Sequence, residues 1–285
     1  MRDIRSRVRS VGSTAKITKA MQMVAASKMR KAQQTAINFR QFSGLLYRFQ
    51  RRATTQVSDF THPLQEARQI RKRAVILVGG DKGLCGALNS NLFRLASKFD
   101  PQTTVFITAG RRAAQFVART RRRLVAEFNY GDSPRYTEAK AIAASATDLF
   151  LKKEVDEVVA VSTRFINTLR QEPAILELLP IGPIKGIPLP EGLSEEELAA
   201  DHLEFLFEPG PEAFLSYLLS HYLSIALYQV LLGAKASEQS ARMVAMKNAT
   251  DNANTLISDL TLEYNKLRQG KITTELLEIS TAIAA

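Results

Sequence analysis

Cysteine, histidine and proline are scarce or unevenly placed, and each scarcity excludes something. A single cysteine, Cys85, occurs in 285 residues, so no intrachain disulfide can form and a reducing compartment is expected. The three histidines, His62, His202 and His221, form no recognisable nucleophilic constellation, and each reads as a surface or packing residue. There is no HExxH and no paired CxxC, so the spacing of a metal site is missing. The apolar runs fall far short of the roughly 18 residues a spanning helix needs, so no segment is expected to cross a bilayer. Met1 leads straight into Arg2, Asp3, Ile4 and Arg5, with no apolar signal region and no transit-peptide composition. The product is therefore expected to stay where it is made.

Proline is absent before Pro63 and after Pro211, with all ten prolines between those positions. Proline costs about 3 kcal/mol in a helix interior, so two long proline-free ends predict helical arms on a globular middle. The expected division is an N-terminal coiled-coil helix over 1–60, a central α/β domain over 70–208, and a C-terminal coiled-coil helix over 211–285. At 1.5 Å per residue, arms of these lengths reach roughly 80 and 110 Å, too long for a compact globule of this mass.

What is present fits that division. Apolar residues make up 45% and charged residues 24%, enough to build a soluble core. Four-three spacing puts Ile4, Val8, Val11, Ala15, Thr18, Gln22, Ala25, Met29, Ala32, Ala36 and Phe39 on one stripe. Its many alanines suit a coiled-coil seam with close backbone approach. A second stripe runs Ile225, Gln229, Leu232, Ala236, Gln239, Met243, Met246, Thr250, Ala253, Ile257, Leu260, Tyr264 and Leu267. After Gly270 the phase slips and resumes at Ile272, Leu276, Ile279 and Ile283. The simplest partner for each arm is the other, antiparallel.

Between the arms, strand-like and helix-like stretches alternate. Strands are predicted at Ala74–Val78, Thr104–Thr108, Leu124–Phe128 and Glu157–Thr163, with extended pieces at Pro173–Leu179 and Leu203–Phe207. Helices are predicted at Asn89–Ser97, Arg111–Thr120 and Thr137–Leu151, and a surface loop at Gly182–Glu197. Alternation of this kind predicts a small Rossmann-like α/β sheet with crossover helices.

The one glycine-rich loop is GDKGLCGALNSNL, residues 80–92, after the first strand. Two readings are open. Gly80, Gly83 and Gly86 could aim backbone N–H groups at a phosphate, with Lys82 nearby. Alternatively the glycines only let the chain turn, and Asp81 or Asn89 caps a helix. The loop fits neither GxxxxGK[ST] nor GxGxxG, and Asp81 puts a negative charge at its mouth. Cys85 reads as a small buried hydrophobe.

Charge is uneven. Residues 1–73 hold 17 basic and 3 acidic side chains, within a whole-chain net charge of +11. A basic arm on a near-neutral remainder suits an acidic partner such as nucleic acid, anionic lipid or an acidic protein surface. A basic coiled-coil nucleic-acid binder is thus an alternative reading. Against it, Arg2, Arg5, Arg9, Lys16, Lys19, Lys28, Arg30 and Lys31 spread around the helix rather than along one groove-facing stripe.

KITKAMQMVAASKMRKAQ, residues 16–33, resembles the N-terminal signature of the gamma subunits of F-type ATP synthases, the central-stalk rotors. SARMVAMKNATDNA (240–253) and LTLEYNKLRQGKITTELLEI (260–279) resemble the C-terminal signature. DKGLCGALNSN (81–91) and FEPGPEAF (207–214) match central landmarks in the same order.

The resemblance implies an antiparallel coiled coil inside a hexamer of alpha and beta subunits, and an α/β domain against the epsilon subunit and the c-subunit ring. It implies a non-catalytic chain with no cofactor or metal, no nucleic-acid partner, and membrane contact only through the c ring. The coupling is of proton-driven ring rotation to the cycling of the catalytic beta subunits. The implied beta-subunit contacts are Arg268, Gln269, Arg242, Met21 and Met23. Those implied for epsilon and the ring are Glu208, Phe205 and Phe207. Phe205 and Phe207 stand where hydroxyl-bearing aromatics are common in the family, and Gly270 replaces a more usual helix former, at about 1 kcal/mol relative to alanine. With Cys85 alone, the dithiol switch of the chloroplast type cannot operate. A bacterial enzyme follows, peripheral on the cytoplasmic face of its membrane.

Overall fold

The computed structural model describes residues 1–56, 61–181, 208 and 210–284. Two helices dominate it, α1 (Arg2–Gln56) and α5 (Pro211–Ala284). Between them lie β1 (Arg73–Val78), α2 (Leu88–Ala96), β2 (Thr104–Ala109), α3 (Arg111–Arg119), β3 (Arg123–Phe128), α4 (Tyr136–Leu151), β4 (Glu157–Phe165) and β5 (Gln171–Leu179). The extended piece expected at Leu203–Phe207 and the loop at Gly182–Glu197 lie outside the described residues. The chain forms two compact units, Met1–Ala26 with Arg242–Ala285, and Ser27–Ala241. Each long helix contributes to both.

The first unit is an antiparallel helix pair. Thr18 meets Thr250, and Arg5 meets Tyr264, so positions rise along one helix as they fall along the other. Its buried residues are mostly small, Ala15, Thr18, Ala25, Thr250 and Ala253, with Met246 and Arg242 larger. The stripe expected on α5 holds in this unit through Tyr264, and ends there. Leu267 is exposed. Every side chain from Asn265 to Leu277 is exposed. The helix runs on to Ala284, about 30 Å past Tyr264 at 1.5 Å per residue.

The second unit is built on a five-stranded sheet of order β3-β2-β1-β4-β5. The first four strands are parallel; β5 returns antiparallel beside β4. Period-two alternation sends β1 side chains to opposite faces, and both faces are covered. Ala74, Ile76 and Val78 join a core with Ile142, Ala146 and Phe150 of α4 and Leu219, Leu223, Leu227 and Leu231 of α5. Val75 and Leu77 join a core with Leu92 of α2, Val117 of α3, Phe106 and Val159. Fully burying one such leucine or isoleucine contributes about 1.5–3 kcal/mol.

The apolar part of α5 corrects one expectation. Within Pro211–Leu277 one 18-residue window reaches a mean hydropathy of 1.3, long and apolar enough by length and composition to cross a membrane. Small and polar residues break it into short runs, which hid it from a search for unbroken stretches. Half of that window is buried inside the protein. Leu219, Leu223, Leu227 and Leu231 recur at helical spacing against the sheet, as a core helix requires.

Candidate functional site

In open α/β sheets, ligands bind outside the carboxyl ends of the parallel strands, at the point where strand order reverses. Here that point lies between β1 and β4, and α5 fills it. The Ser237 hydroxyl donates to the Thr163 carbonyl of β4 at 3.1 Å, and Ser240 donates to the Thr168 carbonyl at 2.9 Å. On the β1 side, a Cβ added to Gly80 would lie 3.1 Å from Glu238 Cδ. From Lys235 to Ser240 every residue of α5 is buried, and five of the six are polar.

The glycine loop folds around this helix rather than around a phosphate. Asp81 Oδ1 accepts a hydrogen bond of 3.1 Å from the Arg111 amide, the first of α3. The negative charge therefore already occupies the helix N-terminus where an anion would bind. Asp81 thus caps a helix thirty residues away, while Asn89 lies inside α2 and caps nothing; its Oδ1 accepts from the Gly80 amide at 3.4 Å. Cys85 is buried, with the Asn89 amide donating to its sulfur at 3.4 Å.

Four charged side chains converge where loop and helix meet. Lys235 Nζ, on a side chain 1% exposed, lies 3.1 Å from Glu238 Oε2, 3.4 Å from Asp132 Oδ1 and 3.8 Å from Asp81 Oδ2. The Tyr130 ring centroid is 5.0 Å away, and its hydroxyl donates to the Gly79 carbonyl at 2.9 Å. Burial, then the negative charges of Glu238, Asp81 and Glu138, push the Tyr130 phenol well above its ordinary range. A hydrogen bond of 2.5 Å from Lys28 and the nearby Lys235 charge hold the Asp132 carboxyl below its usual range, against a smaller opposing effect of burial. Sequence spacing shows Lys235 and Glu238 only as an ordinary helical pair, so this cluster escaped the sequence reading.

The sequence-predicted contact residues fall in different surroundings. Arg268 and Gln269 are exposed, on the stretch of α5 beyond Tyr264. Met23 is 59% exposed and Met21 half-buried on α1. Arg242 is 7% exposed. Glu208 is exposed, and Phe205 and Phe207 lie outside the described residues.

A long coiled coil ending in an uncovered apolar tip, with an α/β ligand crevice filled by the chain's own helix, defines a mechanical or assembly protein. Comparison with known proteins agrees. The profile of the ATP synthase family matches residues 1–285. The ATP synthase gamma chain of Opitutus terrae is 44% identical over 285 residues, covering 99% of this chain and 97% of that protein. That of Methylacidiphilum infernorum is 43% identical, covering 99% and 97%. The central stalk and c-ring structure of Tetrahymena thermophila mitochondrial ATP synthase aligns at 25% identity with a TM-score of 0.60, over 82% of this chain and 99% of that one. A chain of the Euglena gracilis mitochondrial ATP synthase shares the fold at 21% identity, TM-score 0.66, over 100% and 93%. The chain belongs to the ATP synthase gamma chain family, whose members are non-catalytic subunits of the complex. Nothing in these comparisons supports the nucleic-acid alternative.

Proposed function

We propose that this chain is the rotating central stalk of a bacterial F-type ATP synthase, with segments 1–60 and 211–285 serving as the shaft and 70–208 as the domain that faces the ring. The observation that carries this reading is the stretch of α5 beyond Tyr264, where the apolar side chains Leu267, Ile272 and Leu276 are exposed. Apolar side chains exposed on different sides of one helix call for a surrounding partner. The bore of a hexamer of alpha and beta subunits supplies one without a fixed register, which a turning shaft requires.

Coupling then rests on asymmetry. A partner shifts a conformational equilibrium only through differential contact. A helix pair presents a different face to each beta subunit, so turning it changes which subunit is favoured in which state. Arg268 and Gln269 are the polar anchors on the exposed tip, and an arginine fork can pair with carboxylates in more than one geometry. Met23, with Met21 beside it, faces the beta subunits at the neck. Arg242, 7% exposed in the free chain, is a third polar anchor for the beta subunits. Glu208, with Phe205 and Phe207, belongs to the contact with the epsilon subunit and the c ring. The complex sits on the cytoplasmic face of the plasma membrane, and this chain reaches the membrane only through the ring.

The test is reconstitution with the cognate alpha and beta subunits. One copy per hexamer and strong stimulation of ATP hydrolysis are expected, with a defect in the Arg268→Ala/Gln269→Ala double variant. A chain that neither joins nor activates the hexamer contradicts the reading.

A further inference from the structure

Within the Ser27–Ala241 unit, the charges around Lys235 tie together parts of the chain that apolar packing alone leaves free to slip. Each carboxylate in the cluster is shared. Asp132 gives one oxygen to Lys235 and the other to Lys28 of α1. Asp81 lies 3.8 Å from Lys235 through one oxygen and bonds the first amide of α3 through the other. Glu238 bonds Lys235 from the next turn of α5, against the backbone of Gly80. One ammonium thus joins α5, α1, the β1–α2 loop, the start of α3 and the β3–α4 loop.

Stability does not explain such an arrangement. Taking charges out of water costs several kcal/mol per ion, and well-packed apolar residues of similar size commonly do as well or better. Directionality does explain it. The leucines that seat α5 on the sheet resist its removal, but hydrophobic contact is non-directional and resists rotation about the helix axis only weakly. The ammonium lies off that axis, so a turn of about 30° at a radius of roughly 5–6 Å carries it some 3 Å and out of reach of its partners. The polar row Ser237 to Ser240, bonded to the β4–β5 segment, opposes the same motion.

We propose that Lys235 is the rotational key of the stalk, a positioning residue through which torque passes between the α/β unit and α5. This rests on the rotor reading above. Without the key, α5 turns inside its seat: the hexamer still hydrolyses ATP and drives the helix, but less of that turning reaches the ring.

The test uses the whole enzyme in sealed vesicles, following ATP hydrolysis and ATP-driven proton uptake together. Lys235→Met is expected to lower the amount of assembled enzyme, because three carboxylates lose their shared ammonium. In the enzyme that assembles, hydrolysis stays near wild type while protons moved per ATP fall severalfold. Lys235→Arg is expected to restore most of that ratio. A purely structural role would lower assembly but leave the ratio unchanged. An equal ratio in the wild type and Lys235→Met overturns the proposal.

Should Lys235→Met not assemble, a reversible cross-link decides. A Cβ at Gly80 would lie 3.4 Å from Glu238 Cγ, within reach of a disulfide. Gly80→Cys with Glu238→Cys, combined with Lys235→Met and with Cys85→Ala to avoid mispairing, replaces the ionic key by a covalent one. Recovery of proton uptake per ATP on oxidation, and its loss on reduction, supports the proposal; identical ratios in both states overturn it. A wild-type preparation that fails to assemble or hydrolyse ATP contradicts the rotor reading instead, and is distinguishable from either result.

Discussion

Thr18 and Thr250 face each other across the helix pair with their hydroxyl oxygens 2.7 Å apart, both buried in a seam whose buried side chains are mostly small. Each hydroxyl has one proton to give. Thr250 also reaches the Met246 carbonyl at 2.8 Å and Thr18 the Ala15 carbonyl at 3.1 Å, so one hydroxyl donates across the seam while the other donates to its own helix. A polar pair at this position fixes register at some cost in stability.

A double-mutant cycle on this pair should therefore show coupling. Thr18→Val alone removes the hydrogen bond across the seam and is expected to cost about 1 kcal/mol. The Thr18→Val/Thr250→Val pair should be near neutral, because replacing both partners by apolar groups of the same shape leaves nothing unsatisfied. Urea unfolding of the four proteins measures it, and additive effects would show that the hydrogen bond contributes nothing.

Acid should loosen the α/β unit through Asp132. Its carboxyl is held below the usual range, first by the Lys28 hydrogen bond and also by the Lys235 charge. A group whose folded pKa is depressed contributes stability above its unfolded value, about 3.9, and loses it as pH falls through the folded value. Asp156, held down by hydrogen bonds from the Lys72 and Arg71 amides, acts in the same direction. Urea midpoints should fall below about pH 4, and Asp132→Asn should flatten part of that fall. An unchanged slope in the variant would contradict the assignment.

Gly110→Ala should be severely destabilising. Gly110 has φ +97°, and an added Cβ would lie 2.2 Å from the Gly79 carbonyl oxygen. Strain and a backbone clash act together, with an expected loss of about 3 kcal/mol or more. Gly270→Ala, in the open middle of α5 with nothing near the new methyl, should instead stabilise by up to about 1 kcal/mol. Thermal melts of both variants check the contrast.

Replacing Leu276 and Leu277 by Gln should leave the fold intact and harm assembly. Both side chains are exposed, so the expected change in stability is within about 0.5 kcal/mol. Stimulation of ATP hydrolysis by the hexamer should fall sharply. Normal stimulation would mean the apolar tip is not what the hexamer grips.

Local patterns were legible in the sequence; contacts between distant segments were not. All eleven residues of the α1 stripe from Ile4 to Phe39 are buried or half-buried, because heptad spacing is written in neighbouring residues. The strands at Arg73–Val78 and Thr104–Ala109 announce themselves as short apolar runs ended by glycine. By contrast, Lys235 and Glu238 at three-residue spacing look like any solvated helical pair. Only the arrival of Asp81 and Asp132 from other elements turns them into a buried cluster. Arg242 reads locally as a solvated helix charge, yet it is 7% exposed. Among the contacts that the resemblance implies, Arg268, Gln269 and Met23 are exposed.

The most direct test of the central claim is to watch the chain turn. With the hexamer fixed to glass and a particle attached at exposed Gln102, replaced by cysteine in a Cys85→Ala background, ATP should drive sustained rotation in one direction. Hydrolysis at a normal rate by complexes whose particle stays still would contradict the account.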